Sequence, residues 1–108
     1  MARLDTIRSK MLRRACLSVL RAAEAAGGDG WTAARAVFNF LRDDHCGLTL
    51  SETAEALRYL AAKGYAETRT QRPTKFDGGD LQARILPRGI DLLEETVPPD
   101  PGIEDNRV

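Results

Sequence analysis

The stretch TLSETAEALRYLAAKGYAETRT, residues 49–70, most constrains what this chain can fold into. Leu50, Ala54, Leu57, Leu60 and Ala61 recur at helical spacing and predict one buried face. Thr49 with Glu52 three residues on matches a capping box. Its hydroxyl accepts from a backbone N–H while the carboxylate accepts from the N–H of the cap residue. Gly64 stops the helix, since glycine takes the left-handed conformation used past a helix C-terminus without a Cβ clash. YAETRT then follows as a strand. One residue therefore divides a packed helical segment from an extended one.

The flanking segments set the order of elements. Leu12, Cys16, Val19, Leu20 and Ala23 mark the inner face of a first helix from about Thr6 to Ala26, ended by GGDG at 27–30. A second helix is expected from Thr32 to about Asp44, with Ala34, Val37, Phe38 and Leu41 inward and Trp31 anchoring the connection ahead of it. Phe40 lies off that stripe, either widening the core or facing a partner. Beyond the first strand, QRPTKFDGGD has the proline and paired glycines of a loop tip. LQARIL then alternates, with Leu81, Ala83 and Ile85 on one face and Gln82 and Arg84 on the other. PRGIDLLEET resumes as a helix with Pro87 in its first turn. The predicted architecture is mainly α with a β-hairpin, in the order α-α-α-β-β-α. Residues 1–97 form the domain and 98–108 a proline-rich acidic tail. A lone hairpin is marginal in water, so it must rest on the helices.

A helix-rich platform carrying a hairpin after its third helix is the winged helix-turn-helix arrangement. LRYLAAKGYAE resembles the leucine–two–leucine–glycine–aliphatic passage of winged-helix regulators of the MarR, ArsR and PadR kinds. ILPRGIDLLEE resembles their strand-to-helix passage, with Leu86 where threonine is usual, so the ordinary cap of the last helix is missing. The order and spacing from MLRRACLSVLRAA to LPRGIDLLEETVPPDPGI are similar to the small winged-helix proteins of Mu-like bacteriophages and prophages. That resemblance implies the fold and a phage setting. It also implies homodimerisation through terminal helices, as many winged-helix regulators do.

Charge narrows the function without naming it. Sixteen basic and sixteen acidic residues cancel, so net charge gives no support for nucleic-acid binding. The distribution is uneven: residues 1–21 hold six bases against one acid, residues 65–88 five against three, and the last twenty one against six. Local potential, rather than the sum, governs partner choice. Arg69, Arg72, Lys75 and Arg84 on or beside the hairpin are candidates for phosphate contact, against a plainer role in deterring edge pairing. On the third helix, Glu52, Glu55 and Tyr59 are expected to point away from the core, with Ser51, Arg58 and Ala62 beside them. Ser51 and Arg58 are the candidate groove readers, whereas two glutamates near a phosphate backbone would oppose binding.

Arg8, Lys10, Arg13 and Arg14 in the first helix are candidates for flanking phosphates, for a protein partner, or simply for solubility. RAAEAA permits close helix packing in a dimer, and Ile7 and Met11 are candidate exposed contacts. The reading is a phage-type DNA-binding protein in transcriptional control, with double-stranded DNA as partner and the bacterial cytoplasm as its place. The alternative is an adaptor with the same fold that binds a phage or host protein instead, with no DNA bound. No run approaches the roughly 20 apolar residues of a membrane span, and the basic N-terminus lacks a signal-peptide pattern. Asp43, Asp44, His45 and Cys46 adjoin one another in a turn, a poor geometry for converging on one ion or assembling a nucleophile site. No cofactor and no catalysis are expected.

Overall fold

In the computed structural model, which describes residues 2–70 and 80–105 with side chains from Thr6 onward, seven elements follow one another. They are α1 (Ala2–Ala25), β1 (Thr32–Ala33), α2 (Ala34–Leu41), α3 (Leu50–Ala62), β2 (Ala66–Thr70), β3 (Leu81–Ile85) and α4 (Pro87–Leu93). Among the described residues this is an α+β arrangement of four helices and one antiparallel sheet in the order β1-β3-β2. The predicted α-α-α-β-β-α order needs one correction. Thr32 and Ala33 are not the start of the second helix but a short strand, pairing with Ala83 and Gln82. Their backbone is extended up to Ala33 (φ −66°, ψ 142°), and α2 closes at Leu41 rather than at Asp44. The hairpin is thereby widened to three strands, with β3 central.

α1 is the spine. Its 24 residues span about 36 Å at 1.5 Å per residue. It packs against α2, α3, α4 and β3. Leu12, Cys16 and Leu20 are buried as the spacing predicts; Leu17, off that stripe, is buried too. A helix covered on more than one side has a wider apolar face than a single stripe. Leu57, Leu60, Val37 and Ile85 join the same core; each fully buried aliphatic side chain contributes about 1.5–3 kcal/mol. Thr53 is wholly buried within α3, its hydroxyl donating to the Thr49 carbonyl at 3.0 Å.

The hairpin follows the predicted alternation. Leu81, Ala83 and Ile85 of β3 are buried, with Gln82 and Arg84 between them half-exposed. Gly64 adopts φ +82°, so the helix ends where its sequence says it must. Leu86, at the cap position of α4, supplies no side-chain hydrogen bond, as its missing threonine predicts, and Pro87 occupies the first turn. The glycine of PRGID is set by close approach. A Cβ at Gly89 would lie 2.3 Å from the Tyr65 carbonyl and 2.9 Å from Ile85.

The segment expected to trail as a tail is anchored to the helices at Asp100 and Ile103, both of them buried. Asp100 Oδ2 accepts from the Tyr65 hydroxyl at 2.7 Å, and Oδ1 accepts from the Tyr59 hydroxyl at 3.2 Å and the Gly102 N–H at 2.7 Å. The Glu104 N–H donates to the Lys10 carbonyl at 3.1 Å, and Arg13 donates to the Gly102 carbonyl at 3.0 Å. Residues 98–105 thus form a strap across α1 and the end of α3.

Gly89→Ala is expected to lower stability by about 1–3 kcal/mol, the usual cost of overpacking a filled site. Denaturant midpoints check it, and an unchanged midpoint would mean that α4 does not lie on Tyr65. The strap carries a pH signature. Burial pushes the Asp100 carboxyl up, but hydrogen bonds from Tyr65, Gly102 N–H and Tyr59, with the Lys63 charge, hold it below the usual carboxylate range. A depressed folded value means stability present above the unfolded value and lost as pH falls through the folded one. Asp100→Asn should be less stable at neutral pH and decline less on acidification. An acid limb as steep as that of the parent chain would sever the carboxylate from the strap.

Candidate nucleic-acid interface

The capping box of α3 is complete. Thr49 Oγ1 accepts from the Glu52 N–H at 3.1 Å, and Glu52 Oε1 accepts from the Thr49 N–H at 3.2 Å. The other carboxylate oxygen of Glu52 accepts from Arg8 Nε at 3.1 Å, while Arg8 Nη1 donates to the Cys46 carbonyl at 2.7 Å. The hydrogen bond from Arg8, outweighing partial desolvation, holds the Glu52 carboxyl below its ordinary range. Tyr59 is likewise claimed from the side: the Arg13 guanidinium lies 3.7 Å from its ring centroid and Asp100 accepts its hydroxyl proton.

These contacts correct the expected outward face of α3. Glu52 and Tyr59 turn toward α1 and the strap. The exposed positions are Ser51, Glu55, Arg58 and Ala62, spaced four, three and four residues apart as one helical stripe. Ser51 and Arg58 therefore share a face about 10 Å long, with Glu55 between them. Beside this stripe a groove of about 620 Å³ separates α3 from α1, lined by Arg8, Leu12, Arg13, Glu52, Glu55 and Tyr59 among others.

The basic first helix is largely spent on the chain's own groups. Arg8 serves Glu52, Arg13 serves Tyr59 and Gly102, and Arg14 makes a long 3.5 Å contact with the Glu104 carbonyl. Arg21 bridges Glu24 at 2.7 Å and Glu94 at 3.4 Å.

The hairpin brings together two of the predicted residues. Arg69 on β2 and Arg84 on β3 project from the outer face of the sheet, and both guanidiniums lie over the Trp31 ring, at 4.1 and 4.8 Å from its centroid. Arg69 Nε donates to Gln82 Oε1 at 2.7 Å, and Arg84 pairs with Glu67, its register partner across the ladder. Arg72 and Lys75 lie outside the described residues. Sequence reasoning assigned Trp31 only an anchoring role. The missing signal was β1 itself, whose Thr32–Ala83 pairing sets Trp31 beside Arg84.

Among the described residues no group of three or more His, Cys, Asp or Glu side chains is arranged to hold a metal, and no helix is long and apolar enough to cross a membrane. The two thiols differ sharply. Cys16 is buried in the core, and desolvation pushes its pKa up to about 12; Cys46 is exposed in the turn before α3. Comparison with protein-family models, curated proteins and solved structures returns no match to this chain.

A thiol reagent should modify one cysteine of the native protein quickly, Cys46, and reach Cys16 only when the chain unfolds. Counting labels by mass spectrometry before and after denaturant checks it. Rapid double labelling of the native protein would place Cys16 outside the core.

Proposed function

We propose that the chain is a winged-helix protein that binds double-stranded DNA, with α3 as its groove-reading helix and the β2–β3 hairpin as its wing. The carrying observation is the exposed stripe of α3. Arg58 and Ser51 lie on it together, while Glu52, the acid expected to oppose them, is held by Arg8. Arginine is the side chain best suited to guanine and phosphate, and serine adds a modest donor. Arg69 and Arg84 at the wing base supply backbone contacts, with Arg72 and Lys75, outside the described residues, as further candidates from the sequence. The sheet order β1-β3-β2 and the position of the hairpin after α3 support the winged-helix assignment. The resemblance to proteins of Mu-like phages supports a role in transcriptional control within the bacterial cytoplasm. Ile7 and Met11, 49% and 44% exposed on α1, suit a homodimer contact that would present two wings to one duplex.

Two observations favour a different partner. Phe40 on α2 is 71% exposed and Glu55 stays on the reading stripe, as an adaptor that binds a phage or host protein would have it. Recovery of one such protein from nuclease-treated lysate, with no duplex retardation, would select the adaptor.

Gel-shift titration against duplex DNA tests the proposal. With about four phosphate contacts, the logarithm of affinity should fall against the logarithm of salt with a slope of roughly −3 to −4. Arg58→Ala should weaken binding by about 1–3 kcal/mol if it meets a base, and Glu55→Gln should tighten it by relieving repulsion at the stripe. Absence of retardation at low salt, or indifference to both substitutions, would overturn the assignment of α3.

A further inference from the structure

We infer that Trp31 is a positioning residue, whose ring holds the guanidiniums of Arg69 and Arg84 side by side as a clamp for a nucleic-acid phosphate at the base of the hairpin. This rests on the DNA-binding reading and adds to it a residue that no charge pattern selects. The register explains why a plate is needed. Arg69 faces Gln82, and Arg84 faces Glu67, so the two arginines are diagonal neighbours across the β2–β3 ladder rather than partners. Two like charges at diagonal spacing repel. The electron-rich face of an indole attracts both and lets them lie close.

Stacking also decides which edge of each guanidinium remains for a ligand. A planar guanidinium gives its face to an aromatic ring and keeps its N–H donors in plane. Here the Nε edges are taken by Gln82 and Glu67. Among the described residues the terminal amines of Arg69 and Arg84 have no acceptor, and that end of the fork suits two phosphate oxygens. Protection of a sheet edge does not explain the pair. Arg84 sits on β3, the central strand of the sheet, and not on one of its two outer strands. Glu67 removes part of the local charge, so the clamp favours an oxyanion by geometry more than by excess positive potential.

Trp31 is the chain's single tryptophan, so its fluorescence reports on the clamp directly. Titration with a duplex oligonucleotide should change its emission over the same concentration range in which gel retardation appears. Trp31→Ala should weaken duplex binding by about tenfold, the order expected for losing two stacked cations, while Trp31→Phe, which keeps an aromatic face, should stay within about threefold of the parent. The decisive measurement is a cycle. Arg69→Ala should weaken binding clearly in the parent chain and much less in the Trp31→Ala background, because an unplaced arginine has little left to lose. If Trp31→Ala does not fold, Trp31→Leu fills the space without a π face and takes its place in the cycle. Equal losses from Arg69→Ala in both backgrounds, or Trp31→Ala binding like the parent, would overturn the clamp while leaving the assignment of α3 standing. A parent chain that retards no duplex at low salt would overturn both.

Discussion

Tyr65 is the residue on which four parts of the chain converge. Its N–H donates to the Leu60 carbonyl at 3.0 Å, closing the end of α3, and its carbonyl accepts from the Leu86 N–H at 2.9 Å, where β3 passes into α4. Its hydroxyl donates to Asp100 and fastens the strap, and its backbone lies so near Gly89 that no larger residue fits there. A buried residue whose backbone and side-chain polar groups all find partners costs little in unsatisfied hydrogen bonds and specifies its neighbours closely. The stop at Gly64 matters because it delivers Tyr65 to this position. Burial, with the Asp100 hydrogen bond and charge, pushes the phenol up, so the hydroxyl stays a donor throughout the neutral range.

The charge balance of the chain acquires a structural meaning from these contacts. A neutral protein is an unpromising DNA ligand if its charges are spread evenly. Here Arg8, Arg13 and Arg14 of the first helix turn to the chain's own groups, a carboxylate, a tyrosine ring and strap carbonyls. These half-exposed pairs are individually weak in water. Their larger effect is orientational: Arg8 and Arg13 hold two side chains of α3 sideways, so that the exposed stripe of the helix is Ser51, Glu55 and Arg58. Arg69 and Arg84, by contrast, gather on the outer face of the sheet around Trp31.

What was legible in the sequence follows the range of the interactions involved. The capping box of Thr49 and Glu52, the stop at Gly64, the uncapped start at Leu86 and the alternation of Leu81, Ala83 and Ile85 are all settled by residues within a few positions of each other. β1 was not legible, because a two-residue strand has no period and exists only through its pairing with β3, about fifty residues away in the chain. Helical periodicity separated the buried from the polar side of α3 but left open which polar positions α1 would cover. Trp31 beside two arginines and Asp100 beneath two tyrosines are of the same kind, each made by segments that meet only after folding. Asp100, between Pro99 and Pro101, reads locally as a solvated tail.

Two roles are open to an acidic C-terminal segment: to compete with a ligand for a basic surface, or to build that surface. A competitor must be able to leave without dismantling what it covers. This strap carries Ile103 into the core and Asp100 into a buried set of hydrogen bonds, and its carbonyls hold Arg13 and Arg14 of α1. Its departure would uncover apolar surface, strand two tyrosine hydroxyls and release Tyr59 from the side of α3. Because Tyr59 and Glu52 are held on the flank of that helix, the strap and Arg8 together decide its rotation as presented to solvent. The acidic C-terminal segment is therefore better understood as part of the platform that aims α3 than as a screen drawn across it.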